Sequence, residues 1–269
     1  MTAPMVTPIA DETETSTVTI EHAYALLCDE GYVEPREQVD FLLSSGIQTA
    51  SRYPRMLRLK MTRFLAVSPN KGCVDLRIAI KHYLSKNRDI SVDIEQIIIG
   101  SGAEYFYGLI IELLGRNRTY GIESPSYKKI EQAYKAYEVS YEKLRLSNDG
   151  IDSVALAKAK ESVLHTTPYR SYPTGVSASA SKRHEYIRWA SIKERYIVED
   201  DFEWEFSVST KPEDTLFSLS DRDNVIYLNT FPKTISPSLR VGYMVLPKRL
   251  MGEFEKRLGF YSCTIPTFE

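Results

Sequence analysis

Short apolar segments alternate with amphipathic segments from about residue 71 onward, and this alternation limits the chain to few folds. Residues with strand character occupy 96–100, 119–122, 139–144, 162–166, 196–199, 225–228 and 242–246. Helical spacing of apolar residues occurs in 74–86, 103–114, 127–136, 151–159 and 182–192. Strands that alternate with helices form a mainly parallel sheet flanked by helices, so we predict an α/β fold. Ligands of such sheets bind beyond the carboxyl ends of the strands, which makes the residues that follow each strand candidates for a site.

The bulk composition excludes several classes of protein. The chain has 269 residues and a net charge of −2, which fits one large α/β domain, alone or with a small appendage, and offers no general basic surface to nucleic acid. No stretch approaches the roughly 20 apolar residues that span a bilayer, and the amino terminus has no secretory signal, so we expect no membrane partner. Cys28, Cys73 and Cys263 lie far apart without metal-ligand spacing, which predicts no metal site and fits a reducing cytoplasm.

Small residues connect the predicted strand at 96–100 with the helix that follows. Ser101, Gly102 and Ala103 come directly after Gly100. Such residues let a phosphate approach the backbone, and the N–H groups of the first helical turn face it. A simple turn fits the same residues, and this segment in isolation does not separate the two interpretations.

Three further groups follow predicted strands. Tyr127 comes after the strand at 119–122, where it could stack on a flat ring or fill the core at a helix start. A Pro-Thr-Gly turn at 173–175 follows the strand at 162–166. Asp200 belongs to an acidic run at 199–201. A carboxylate there either caps a helix or holds a protonated ring nitrogen, because a fixed negative charge raises the pKa of a neighbouring base.

The segment Thr-Phe-Pro-Lys-Thr at 230–234 is the most specific of these groups. Lys233 follows an apolar strand and precedes Arg240 by seven residues. A buried amine can form a Schiff base, and a nearby arginine can bind a phosphate through two parallel hydrogen bonds. A lone lysine is usually part of the solvated surface, which is the alternative interpretation.

In this order and spacing, the five groups resemble the class I and II aminotransferases, which are fold-type-I enzymes dependent on pyridoxal 5′-phosphate (PLP). More narrowly, they resemble the aminotransferase-like half of MocR-type regulators of the GntR superfamily. The resemblance covers about residues 40–269. It implies PLP as the cofactor, an amino acid as substrate or effector, a homodimer, and Lys233 as the catalytic residue that forms the Schiff base. It also implies that Asp200 pairs with the pyridine nitrogen and that Tyr127 stacks on the ring. The implied phosphate cup consists of Ser101, Gly102, Ala103, Thr230 and Arg240. Tyr172 occupies the place of an asparagine near the ring hydroxyl.

The first residues carry a second, shorter resemblance. Residues 1–15 are polar and acidic and predict a disordered tail. The predicted amphipathic helix at 16–31, with the residues after it, is similar to the recognition helix and wing start of the GntR winged helix-turn-helix. Thr17 stands where that family usually has an arginine, and 1–15 do not match the two preceding helices. We expect residues 16–38 to be a remnant and linker, so that DNA is bound only through a missing or incomplete winged helix. A leftover amphipathic helix is the alternative.

Several positions depart from the family pattern. Phe202 stands where a tyrosine usually hydrogen-bonds the ring hydroxyl, and phenylalanine cannot donate. Pro232 replaces a serine before the lysine, and Val67 replaces a tyrosine that reaches the partner subunit's phosphate. Arg170 stands where the regulators usually have a histidine. The family continues into a small domain whose arginine grips the substrate carboxylate, and we expect that domain to be missing after Glu269, so that residues 39–269 form an incomplete PLP-binding domain.

Three functions follow from these observations. The first is the PLP-binding, aminotransferase-like domain of a MocR-type regulator, without full turnover. The second is an aminotransferase in which Lys233 is the general base for proton transfer. The third is an inactive fragment. The helix at 16–31 favours the first over the second, whereas the missing ends favour the third.

Overall fold

A computed structural model describes residues 69–192, 195–201, 214–231 and 240–265. The chain divides into two compact units, and the second, at 67–267, contains all of these residues. The predicted tail at 1–15, the winged-helix remnant at 16–38 and the boundary at residue 39 lie outside the described residues.

The helices and strands of the described residues alternate along most of the chain. The helices are α1 (Val74–Asn87), α2 (Ala103–Leu114), α3 (Lys128–Ala136), α4 (Ser153–Lys158), α5 (Ala180–Ala190), α6 (Leu216–Leu219) and α7 (Met251–Leu258). The strands are β1 (Ile97–Gly100), β2 (Tyr120–Ser124), β3 (Tyr141–Ser147), β4 (Gly150–Ile151), β5 (Val163–Thr166), β6 (Tyr196–Asp200), β7 (Val225–Thr230) and β8 (Gly242–Val245). None of the described helices is long and apolar enough to cross a membrane.

Side-chain caps set the start of three helices. The Asp152 carboxylate accepts a hydrogen bond of 2.9 Å from a backbone N–H in the first turn of α4. Helical spacing predicts this helix from residue 151, but Ile151 pairs in the short strand β4 instead. Ser179 and Thr215 cap α5 and α6 in the same way, because a hydroxyl oxygen satisfies an N–H that has no partner in the first turn.

The eight strands form one sheet in the order β1-β8-β7-β6-β5-β2-β3-β4. Strands β7, β6, β5, β2 and β3 are parallel neighbours, which confirms the predicted mainly parallel sheet. Strand β8 lies antiparallel between β1 and β7, an arrangement that periodicity does not predict. Its first residue, Gly242, pairs with both Gly100 and Thr230, the last residues of β1 and β7.

Helices cover both faces of the sheet. Val198 of β6 packs into a core formed with α2, α3 and α7, whereas its neighbour Ile197 packs into a core with α4 and α5. A third apolar cluster joins α1 to β1 and β8. Successive side chains of a strand point to opposite faces, so each central strand contributes to two cores and reads as continuously apolar. The rigid sheet therefore holds the ends of its strands in fixed positions.

Candidate functional site

The carboxyl ends of β1, β2, β5, β6 and β7 share one edge of the sheet, and β8 begins at the same edge because it is antiparallel. Seven of the described residues that were predicted to bind a cofactor lie at the end of one of these strands or between it and the next element: Ser101, Gly102, Ala103, Tyr127, Tyr172, Asp200 and Thr230. The eighth, Arg240, lies just before β8. Lys233 lies outside the described residues, as do Phe202, Pro232 and Val67.

The turn between β1 and α2 requires a glycine. Gly102 has φ +93° and ψ 178°, a combination that residues with a Cβ rarely adopt. Its N–H donates to the Gly100 carbonyl at 2.9 Å, and the N–H of Ser101 donates to Thr264 Oγ1 at 3.0 Å. Ala103 opens α2. The amino end of this helix points out of the sheet edge, where helix N–H groups favour an anion.

Arg240 lies over this turn. The position that a Cβ of Gly102 would take is 3.4 Å from Arg240 Nη2, so the guanidinium closes one side of the turn. The register explains the contact, since Arg240 precedes Gly242, which pairs with the end of β1. Thr230 is nearly buried at the end of β7, opposite Gly242. Three separate segments that carry the residues predicted for the phosphate cup thus end or begin at this edge of the sheet.

Glu104, which the sequence analysis does not include, lies in this cup. Its carboxylate pairs with Arg240 Nη2 at 2.9 Å and with Lys129 Nζ at 2.6 Å. Burial alone would raise the pKa of Glu104, but the hydrogen bond from Lys129 and the charges of Lys129 and Arg240 lower it, so the carboxylate stays ionised. An acidic residue in the first helical turn is common as a dipole partner, so its position in the sequence does not reveal this contact.

Asp200 is the last residue of β6 and is 5% exposed. The hydroxyl of Tyr107 donates to its Oδ2 at 2.5 Å, and His165 Nε2 lies 3.5 Å from the same oxygen. Tyr134 contacts the other ring nitrogen of His165 at 2.8 Å. Burial, followed by the negative charge of Asp200, raises the pKa of Tyr107 well above its ordinary value, so Tyr107 remains a donor. The hydrogen bond from Tyr107 therefore orients this carboxylate, and His165 lies beside it.

The two neighbours of Asp200 face other parts of the molecule. Glu199 accepts the N–H groups of Leu216 and Phe217 at 2.8 and 2.9 Å and so caps α6. Asp201 pairs with the fully buried Arg88 at 2.5 Å and accepts from a tyrosine hydroxyl. Of the acidic run at 199–201, Asp200 alone shares the side of the sheet on which α2 lies.

Tyr127 and Tyr172 meet above the edge, with ring centroids 5.9 Å apart at an interplanar angle of 84°. Both rings are exposed to solvent, Tyr172 at 61%. Tyr172 also lines a cavity of about 390 Å³ together with the side chain of Arg170.

The buried Glu123 fixes the turn that carries Tyr172. Its carboxylate accepts hydrogen bonds of 2.5 Å from the hydroxyls of Thr166 and Ser171, and one of 3.1 Å from a backbone N–H. Burial raises the pKa of Glu123, against the effect of these donors. No sequence pattern predicts this role, because a glutamate at a strand end is usually solvated.

Comparison with known proteins identifies the family of this chain. Residues 36–267 match the family Aminotransferase class I and II. The chain is 27% identical over 194 residues to the uncharacterized HTH-type transcriptional regulator YdeL of Bacillus subtilis, a match that covers 72% of this chain and 42% of YdeL. It is 30% identical over 181 residues to the HTH-type pyridoxine biosynthesis transcriptional regulator PdxR of Corynebacterium glutamicum, covering 67% of this chain and 39% of PdxR. The chain thus spans less than half the length of either regulator.

Among solved structures, Pyrococcus horikoshii kynurenine aminotransferase, determined in complex with PMP, is 26% identical, with a TM-score of 0.67 over 82% of this chain and 55% of that one. This similarity confirms the fold of the PLP-dependent transferases. The chain belongs to the class I and II aminotransferase family, and its aminotransferase-like domain is homologous to that of MocR-type HTH regulators.

Proposed function

We propose that the chain binds PLP as the ligand-binding, aminotransferase-like domain of a MocR-type transcriptional regulator. The observation that carries the proposal is the position of α2. Its first residue, Ala103, follows Gly102, which lies beside the guanidinium of Arg240, and Tyr107, one turn into the helix, donates to Asp200. With a rise of about 1.5 Å per residue, the two points are about 6 Å apart along the helix. One helix thus begins at the proposed anion site and, one turn later, holds the Asp200 carboxylate through Tyr107.

The residues at the first of these points fit a phosphate. Gly102 leaves the backbone open where a Cβ would approach Arg240. A guanidinium offers parallel N–H groups to two phosphate oxygens, and the start of α2 adds backbone N–H groups and the positive end of its dipole. We propose that Ser101, Gly102, Ala103, Thr230 and Arg240 hold the phosphate of PLP.

The residues at the second point fit a pyridine ring. Asp200 is nearly buried and is oriented by the hydrogen bond from Tyr107, so its charge is little screened. Such a carboxylate holds a proton on a neighbouring ring nitrogen. We propose that Tyr127 stacks on the ring and that Tyr172 lies near the ring hydroxyl.

Lys233 is the proposed covalent attachment point. The described residues on either side of it support this assignment. The N–H of Phe231 donates to the Val241 carbonyl at 2.8 Å, and Arg240 lies in the phosphate cup, so the chain leaves and re-enters the described residues at this edge of the sheet.

When bound, PLP supplies an electron sink for the α-carbon of an amino acid. We propose that full turnover is slow, because Phe202 lacks the hydroxyl that would donate to the ring oxygen, a charge-assisted bond worth about 1.5–3 kcal/mol. An amino acid is then an effector rather than a substrate, and a homodimer is the proposed assembly. Aminotransferase activity is the second candidate, favoured by the 26% identity to kynurenine aminotransferase.

The test has two parts. The purified chain is mixed with PLP, reduced with borohydride and digested, and mass spectrometry should find the cofactor on Lys233. Each common amino acid is then added to unreduced, PLP-loaded protein while the visible spectrum is followed. Labelling elsewhere would refute the site. Stoichiometric conversion of the cofactor to its amino form within minutes would promote the aminotransferase over the regulator.

A further inference from the structure

Glu104 bridges two cations at the amino end of α2. One carboxylate oxygen pairs with Lys129 at 2.6 Å and the other with Arg240 at 2.9 Å. All three side chains are partly exposed, so the network is accessible to a ligand from solvent. Both ion pairs lie at the surface, and an exposed pair such as Glu104 with Arg240 contributes little to the free energy of folding.

The same carboxylate lies over the turn that would receive a phosphate. Measured from the position that a Cβ of Gly102 would take, Arg240 Nη2 is 3.4 Å away and Glu104 Oε2 is 3.8 Å away. The carboxylate oxygen therefore lies beside the guanidinium, and both face the open glycine. A phosphate that binds to both Arg240 and the backbone at this turn must displace the carboxylate or lie against it.

We propose that Glu104 is a built-in competitor for the phosphate cup, which weakens the binding of phosphate esters and moves from Arg240 to Lys129 alone when one binds. The inference rests on the proposed function, since it concerns the same site. Lys129 makes the exchange possible, because it retains one oxygen of Glu104 while Arg240 turns to the ligand. Glu104 thereby sets how much PLP the chain binds at a given concentration.

The neutral isostere Glu104→Gln separates this role from a structural one. It keeps the length of the side chain and removes the charge that repels a phosphate. Two unit charges a few ångströms apart near a protein surface interact strongly enough to change affinity on the order of tenfold. Pyridoxal, which has the same ring without the phosphate, should bind the two proteins equally.

The experiment measures the dissociation constants of PLP and pyridoxal for the full chain by equilibrium dialysis. A matched control is Glu112→Gln, which makes the same change of charge on the same helix, at the end where Glu112 pairs with Arg116. Glu104→Ala is a second test variant, and circular dichroism checks that each variant is folded. Inorganic phosphate serves as a competitor, and its inhibition constant should be lower for Glu104→Gln than for the unaltered chain.

The expected result is PLP binding about tenfold tighter in both Glu104 variants, with no change in Glu112→Gln. Equal or weaker PLP binding by the Glu104 variants overturns the inference, and so does an equal gain for pyridoxal. If the unaltered chain carries PLP on Lys233 but Glu104→Gln gains nothing, the proposed function stands and the competitor role fails. Binding of PLP by none of the proteins overturns both.

Discussion

Tyr107 donates a hydrogen bond of 2.5 Å to Asp200, and so ties the second turn of α2 to the end of β6. The first turn of the same helix lies beside Arg240. A helix is stiff over one turn, so the distance between the anion site and the carboxylate is set by backbone geometry rather than by flexible loops. We propose that a ligand with a phosphate at one end and a basic ring nitrogen at the other binds across these two points.

Replacing Lys233 should abolish covalent attachment of PLP. Lys233→Ala removes the only amine that we propose for the Schiff base, so borohydride should leave no cofactor on the protein, although the phosphate cup still binds PLP reversibly. Lys248→Ala is a suitable control, because Lys248 is exposed and pairs with Asp93 away from the cup. Mass spectrometry of the reduced proteins checks both. Retention of label in Lys233→Ala would show that another lysine carries the cofactor.

Replacing Asp200 by asparagine should weaken PLP binding. The amide keeps the shape of the side chain but loses the charge that holds a proton on the ring nitrogen. A charge-assisted hydrogen bond contributes enough that affinity should fall roughly tenfold to hundredfold. The exposed Asp221 provides the control substitution Asp221→Asn, which should have no effect. Titration of each protein with PLP measures the effect, and unchanged affinity in Asp200→Asn would remove Asp200 from the site.

Removing the hydroxyl of Tyr107 should destabilise the fold even without a cofactor. Tyr107→Phe leaves the nearly buried carboxylate of Asp200 without its shortest donor, a loss of about 1–3 kcal/mol in the free energy of unfolding. Tyr261→Phe, at a partly exposed ring, should change stability by less than about 0.5 kcal/mol. Urea denaturation measures both. Equal stability of the two variants would mean that Asp200 does not need the hydrogen bond from Tyr107.

Two glycines should respond in opposite directions to alanine. Gly102→Ala forces a Cβ into φ +93° and against Arg240, at a cost of about 1–3 kcal/mol, and it should also weaken PLP binding. Gly252 lies in α7 with open space around it, so Gly252→Ala should stabilise the chain by about 0.5–1 kcal/mol. Thermal unfolding compares them. A stable Gly102→Ala protein with unchanged PLP affinity would argue against a backbone cradle at this turn.

The pH dependence of stability should include a contribution from Glu199. Burial, and then the negative charge of Asp201, raises the pKa of Glu199 to about 7 in the folded chain. Below the pKa of the unfolded state, near 4.5, both states are protonated; as the pH rises further, the unfolded state ionises first. The contribution of Glu199 to stability is therefore greatest at low pH and falls between about pH 4.5 and 7, by up to about 3 kcal/mol.

Glu199→Gln should lack this fall. The difference in unfolding free energy between the unaltered chain and the variant should therefore shrink as the pH rises through this window, and become constant above it. Loss of one of the caps of α6 lowers the stability of Glu199→Gln at every pH, so the slope and not the offset is informative. Denaturation at a series of pH values measures it, and parallel curves would show that Glu199 is ionised in the folded chain.

Much of the fold follows from the pattern along the chain. The strands at β1, β2, β5, β6 and β7 lie where apolar runs predict them, because a central parallel strand buries both faces. Helix α7 is absent from the sequence-based prediction. It is short, and its buried residues are Phe254 and Leu258, one turn apart, which is too brief a pattern to separate from a loop.

The residues at the amino end of α2 could also be predicted from the sequence, because they directly follow an apolar strand. Asp200 could be predicted in the same way, because it ends one. The carboxylate contacts could not. In the run 199–201, periodicity predicts that alternate side chains face opposite sides, but not that Glu199 caps α6 or that Asp201 meets Arg88, which is more than a hundred residues earlier. Such partners depend on where distant elements pack.

The sequence by itself determined the α/β alternation, the glycine turn before α2 and the placement of Asp200 at a strand end, because each depends on neighbours within one or two turns of the chain. The tertiary structure decided which residues meet. The antiparallel register of β8 brings Arg240 to Gly102, and the packing of α2 on the sheet brings Tyr107 to Asp200. Glu104 enters the cup for the same reason: its partners lie on two other segments, and only the folded sheet places their charges within reach of one carboxylate.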